Sequence, residues 1–192
     1  MAVRYDVQAL GLCLMIDHIH MLVRAKDRKT LSSFVSSVTS VFVRQYNEDI
    51  GRIGPLFEER FGSALKADRK RLISAIIYLG NNPVEKRICT KAEEYRWNFI
   101  AYISSLCPFS SKVSRKNARN LLRKSLRIVD WHKVQGKYLT SSLITELMRG
   151  MTEDEKNQLA DHIIVKYNVI DYESLLKLFG SYEQMLTAIH ST

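Results

Sequence analysis

Two histidines two residues apart, His18 and His20, sit inside the apolar, strand-like run Leu12-Cys13-Leu14-Met15-Ile16-Asp17-His18-Ile19-His20-Met21-Leu22-Val23. Alternate residues of a strand project to one face, so His18 and His20 point together with Leu22 and Arg24, while Ile19, Met21, Val23 and Ala25 point the other way and supply core. Paired imidazoles on a rigid strand form a ready metal-ligand pair. The same pattern also fits half-exposed strand histidines with no ligand.

Further along, Tyr78 and Asn82 lie four residues apart at the end of an apolar helical pattern, on one face with Arg71 and Ala75. A tyrosine there can act as a nucleophile, and the asparagine can give an amide oxygen to an ion held by the histidines. The plainer alternatives are a core-edge aromatic and a helix C-cap before Pro83.

The elements that must position these groups read as follows. Val3 to Met15 reads as a strand, and Ile16-Asp17 as a tight turn into the histidine strand, giving an antiparallel hairpin. Thr30 caps a helix to about Asn47, with Leu31, Phe34, Val35, Val38, Val41 and Phe42 at helical spacing. Leu56 to Leu65 reads as another strand. Asp68 caps the helix that carries Tyr78, and Gly80-Asn81-Asn82-Pro83 stops it. The aromatic-rich segment Glu93 to Tyr102 closes this unit. Leu106 to Ser114 is the linker candidate, and beyond it the pattern turns all-helical. Thr152…Glu155 forms a capping box, and Asp171 and Ser181 open two short helices. The expected division is a catalytic unit over residues 1–108 and a basic helical region over 109–192.

The chain has 192 residues and a formal net charge of +9, which favours a polyanionic partner. The charge concentrates between Lys112 and Lys137. Arg115, Lys116, Arg119, Arg123, Lys124 and Arg127 recur there at helical spacing and are the expected nucleic-acid contacts. Cys13, Cys89 and Cys107 are odd in number and far apart, without a Cys-x-x-Cys pair, which excludes a disulfide framework and points to a reducing cytoplasm. No apolar run reaches membrane-spanning length, and no signal peptide is evident.

Taken together, Leu14-Met15-Ile16-Asp17-His18-Ile19-His20-Met21-Leu22-Val23, Gly54-Pro55-Leu56-Phe57-Glu58-Glu59-Arg60-Phe61 and Tyr78-Leu79-Gly80-Asn81-Asn82-Pro83-Val84 resemble the single-tyrosine HUH transposases, most closely the REP-associated branch. The closing Tyr95-Arg96-Trp97-Asn98 fits as well, and the resemblance covers roughly residues 5 to 103. It implies an α+β fold, a ferredoxin-like antiparallel sheet with helices, and a nuclease and strand transferase acting on single-stranded or stem-loop DNA. It implies Tyr78 as the nucleophile that forms a 5′-phosphotyrosine, and His18, His20 and Asn82 as ligands of one divalent metal, Mg²⁺ or Mn²⁺. The family pattern differs in placing proline and asparagine where Ile16 and Asp17 stand, and commonly glutamine where Glu58 stands. Only 17 residues precede His18, so the usual first strand and helix are expected to be lacking. The sheet edge thereby left at Leu10–Leu14 is expected to recruit a second copy as a homodimer.

Two other functions fit the residues: a DNA-binding remnant of such an enzyme with impaired catalysis, and a basic RNA-binding module with incidental histidines. The last lacks an aromatic RNA-binding signature on its strands.

Overall fold

The computed structural model describes residues 2–102 and 119–192. The linker candidate, Cys107, Arg115 and Lys116 lie outside the described residues. The fold is α+β, with a two-stranded antiparallel sheet and seven α-helices among the described residues.

Strand β1 (Gln8–Leu14) pairs with β2 (Ile19–Arg24), and the Met15 amide donates to the His18 carbonyl at 2.9 Å, closing the turn around Ile16 and Asp17 as the sequence suggests. The expected strand start at Val3 is not observed. Val3–Tyr5 forms a single 3₁₀ turn that ends on Asp6 in the left-handed region, so pairing begins only at Gln8. A bulge between Ala9 and Gly11 shifts the register.

Helix α1 (Arg28–Ile50) starts one turn earlier than Thr30. Asp27 is the N-cap, its carboxylate accepting from the Thr30 amide at 2.7 Å, and Gly51 closes the other end at φ 67°. Phe34 and Val35 pack with Val7 against Met21, Val23 and Ala25, the face of β2 that alternation assigns to core.

Leu56 to Leu65 forms no strand. Asn47 Nδ2 donates to the Gly54 carbonyl at 2.8 Å, Arg52 donates to the Pro55 carbonyl at 2.7 Å, and the Phe57 ring lies 6.3 Å from Phe42 on the outer side of α1. These contacts hold the segment against α1 and away from the hairpin, and its side chains stay exposed except for half-buried Leu56.

Helix α2 (Arg69–Glu85) begins where expected, with Asp68 accepting from the Arg71 amide at 2.8 Å. It does not stop at Asn82. The helix runs through Pro83, which lacks an N–H and disturbs the preceding turn. Asn98 Nδ2 supports that turn by donating to the Gly80 carbonyl at 2.8 Å. Burial of Ile76, Leu79, Gly80, Asn81, Asn82 and Pro83 outweighs the local preference for a stop.

The remaining helices are α3 (Asn120–Val134), α4 (Ser141–Met148), α5 (Glu153–Lys166), α6 (Tyr172–Phe179) and α7 (Tyr182–His190). Helices α3, α4 and α5 share a core of Leu122, Leu126, Val129, Leu147, Met151 and Leu159. The predicted capping box forms at Thr152 and Glu155. Asp171 and Ser181 cap α6 and α7.

Helices α6 and α7 return to the hairpin. Leu175, Met185 and Ile189 are buried with Leu10, Cys13, Ile76, Leu79, Phe99 and Ile100. The outer edge of β1, expected to recruit a second copy, is covered by its own chain. Leu14 donates to the Trp97 carbonyl at 3.0 Å, Cys13 bridges Asn98, and the Asp171 amide donates to the Ala9 carbonyl at 2.8 Å. A buried ion pair, Arg96 with Asp161 at 2.6 Å and Tyr102 Oη donating to the same carboxylate, ties this core to α5.

Because Met185 is fully buried in the core that holds the hairpin, Met185→Ala is expected to cost about 2–5 kcal/mol in urea unfolding. A loss below about 1 kcal/mol would mean that α7 does not belong to that core.

Candidate active site

The hairpin turn brings His18 to the mouth of β2 and the strand carries His20 beside it. Their Nε2 atoms are 2.9 Å apart and their rings meet edge-on at 4.6 Å. Across from them α2 presents Tyr78, whose ring centroid lies 5.7 Å from that of His20, again edge-on. The histidine pair and Tyr78, some 60 residues apart in sequence, thus share one surface. Tyr78 is 51% exposed, and no hydrogen bond engages its hydroxyl among the described residues.

The protonation pattern follows from the partners. His18 Nδ1 is 2.6 Å from Asp17 Oδ1. A carboxylate only accepts, so His18 Nδ1 carries a proton, and it is Nε2 that faces His20. One proton lies between the two Nε2 atoms, and either ring can be its donor. Burial and the neighbouring His18 hold the His20 pKa below the ordinary histidine value. The hydrogen bond from His18 holds the Asp17 carboxyl below its ordinary value. Asp17 is a site residue that the spacing argument passes over. Its signal is its position directly before the first histidine, where a carboxylate can orient the ring.

Asn82 lies one helical turn after Tyr78 and is only 1% exposed. Among the described residues neither its Nδ2 nor its Oδ1 has a hydrogen-bond partner. A buried carboxamide in that condition costs on the order of 1–3 kcal/mol per unsatisfied group unless water or a ligand meets it. No hydrogen bond joins it to either histidine. Among the described residues no group of three or more His, Cys, Asp or Glu side chains is placed to hold a metal.

The basic residues divide. Arg119 precedes α3 and is engaged by Glu155 through two hydrogen bonds, which hold the Glu155 carboxyl down at about 2. Arg123, Lys124 and Arg127 lie on the outer face of α3, opposite the buried Leu122, Leu126 and Val129.

Residues 1–68 match the family model described as transposase, IS200 like. Across that segment, about a third of the chain, the sequence is similar to IS200-like transposases. The match includes His18 and His20 and ends before Tyr78. That match supports a transposase-type, DNA-processing function in general terms. No curated protein and no solved structure matches the chain. Among the described residues no helix is long and apolar enough to cross a membrane.

A lowered His20 pKa means that the folded chain binds the His20 proton more weakly than the unfolded chain. The stability from this pair is therefore present above the ordinary histidine range and is lost as pH falls through it. In a proton-NMR titration His20 is expected to titrate below the ordinary value of about 6.5. Titration of His20 above that value would contradict the arrangement of the pair.

Proposed function

We propose that this chain cleaves and rejoins single-stranded or stem-loop DNA by the tyrosine chemistry of the family it resembles, with Tyr78 as nucleophile and His18, His20 and Asn82 as the seat of one divalent ion. The observation that carries the reading is the convergence of the His18 and His20 Nε2 atoms, 2.9 Å apart, beside the Tyr78 ring.

The residues fit such an ion. His18, with its Nδ1–H held by Asp17, offers an Nε2 lone pair when the ring is neutral. His20 offers its own once its proton moves to Nδ1 or to solvent, a change that its depressed pKa favours over imidazolium. Asn82 has an amide oxygen with no other partner. Two imidazoles and an amide oxygen suit Mg²⁺ or Mn²⁺ while leaving positions for phosphate oxygens. When bound, the ion neutralises charge on the scissile phosphate and polarises it toward attack.

The chain's own part is placement. The half-exposed Tyr78 ring stands at the edge of His20, so its oxygen can reach a phosphate held over the histidines. Attack by that oxygen on phosphorus forms a 5′-phosphotyrosine bond and breaks the bond to the 3′ oxygen, which leaves as a free 3′-OH. The covalent bond conserves the phosphodiester, so a 3′-OH can later attack it and release Tyr78. The exposed cations of α3 hold the flanking backbone.

Tyr78→Phe removes only the hydroxyl. Stability is expected to change by no more than about 0.5 kcal/mol, since that oxygen has no hydrogen bond among the described residues. Incubated with stem-loop DNA and Mn²⁺, the wild-type chain is expected to yield a denaturant-resistant protein–DNA adduct and the Tyr78→Phe chain none. Equal adduct in both removes Tyr78 from the nucleophile role. Binding without adduct in the wild type returns the chain to a DNA-binding remnant.

A further inference from the structure

Helix α3 has two unlike faces. Leu122, Ser125, Leu126 and Val129 are buried against α4 and α5, and Ser125 Oγ donates to the Leu147 carbonyl at 3.1 Å. The outward stripe is Asn120, Arg123, Lys124, Arg127, Ile128 and Trp131, and these residues line a cavity of about 560 Å³. Each lies three or four residues from another of the set, so they form one continuous strip roughly 16 Å long at 1.5 Å per residue. The volume falls in the range of small-ligand sites.

The chemistry of the strip is narrow. No carboxylate is among the lining residues, and the only acid of α3, Asp130, is held by His162 at 2.8 Å and Lys166 at 3.1 Å on α5. Among the described residues neither Lys124 nor Arg127 has an ion-pair partner. At the far end Trp131 is 52% exposed, and Lys137 Nζ lies 5.1 Å from its ring centroid. A tryptophan half in water beside three cations gives nothing to the core of α3.

We propose that the outer face of α3 binds single-stranded DNA, with Trp131 stacking on an unpaired base and Lys124, Arg127 and Lys137 contacting the phosphates on either side. Cations alone would bind any polyanion through its backbone. The indole changes the preference, because it needs an exposed base face, which a duplex hides between neighbouring pairs and a single strand offers at each nucleotide. Asn120 at the other end of the strip has donors and an acceptor for a sugar or base edge. The choice of DNA over RNA rests on the transposase reading above. The site itself rests on α3 and needs neither Tyr78 nor a metal.

The test uses the full chain without added metal and a short fluorescein-labelled oligothymidylate, its duplex with oligoadenylate, and oligouridylate. Trp131 and Trp97 are the only two tryptophans, so quenching can be assigned by substitution. Oligothymidylate is expected to quench wild-type tryptophan fluorescence, and the quench is expected to vanish in Trp131→Phe while affinity stays within a fewfold. Trp131→Ala is expected to weaken the single strand by roughly tenfold and leave the duplex unchanged. Arg127→Ala is expected to weaken both and to lower the salt slope by about one. Equal loss on single strand and duplex in Trp131→Ala, or no loss on either, overturns the stacking site, and oligouridylate binding tighter than oligothymidylate overturns the assignment to DNA. Because only binding is read, failure of Tyr78 to form an adduct leaves these outcomes intact.

Discussion

The close approach of α2 at Gly80 is the constraint on which the candidate site depends. A Cβ built at that position would come within 2.7 Å of the Ile100 terminal methyl and 2.9 Å of that of Ile189. A side chain here would force the ends of Ile100 and Ile189 to shift, so glycine lets the helix sit this deep between the segment that covers β1 and the last helix of the chain without that rearrangement. Tyr78 and Asn82 flank Gly80 by two residues on either side. The same seating that buries Leu79 against the hairpin therefore sets one of them half in solvent beside His20 and sinks the other out of water. The site is assembled by packing contributed from residues as distant as Met185 and Ile189, and its precision depends on a core that the hairpin and α2 could not close alone.

Much of the local structure is legible in the chain. Alternation along Ile19 to Ala25 separates the face that meets α1 from the face that carries His20, and the structure keeps that division. Asp68, Thr152, Asp171 and Ser181 cap the helices they precede, because each has a short oxygen acceptor within reach of an orphan amide. The misses share a physical cause: tertiary contact outweighs a local rule. Pro83 reads as a stop, yet burial of Asn82 and the Asn98 hydrogen bond to Gly80 carry the helix past it. Leu56 to Leu65 reads as a strand, but a strand needs a neighbour, and Asn47, Arg52 and Phe42 hold this segment on α1 instead. The edge of β1 looks unpaired because its cover, Trp97, Asn98 and Asp171, comes from far along the chain.

The candidate site was legible in residue type and spacing but not in its condition. That His18 and His20 share a face follows from their separation by one residue. That Asp17 fixes the tautomer of His18 depends on the turn geometry, and that the Asn82 carboxamide is buried without a partner depends on how deeply α2 sits. Both details bear on the same chemistry. One nitrogen lone pair is oriented by a carboxylate, and one amide is left with unmet hydrogen-bonding capacity in a dry environment, where meeting it is worth most. The basic helix α3 divides in a similar way. Arg119 is tied to Glu155, whereas Lys124 and Arg127 face outward with Trp131.

The central claim is that His18, His20 and Asn82 hold one ion beside Tyr78. Substoichiometric Mn²⁺ added to the full chain, observed by NMR on the histidine rings, the asparagine side-chain amides and the tyrosine ring, tests it most directly, because paramagnetic broadening reports proximity without catalysis. The account predicts that His18, His20, Asn82 and Tyr78 broaden first and together, and that Mg²⁺ in excess restores them. Broadening that begins at His132, His162 or His190, or that spares Asn82 while removing both histidines, would contradict it.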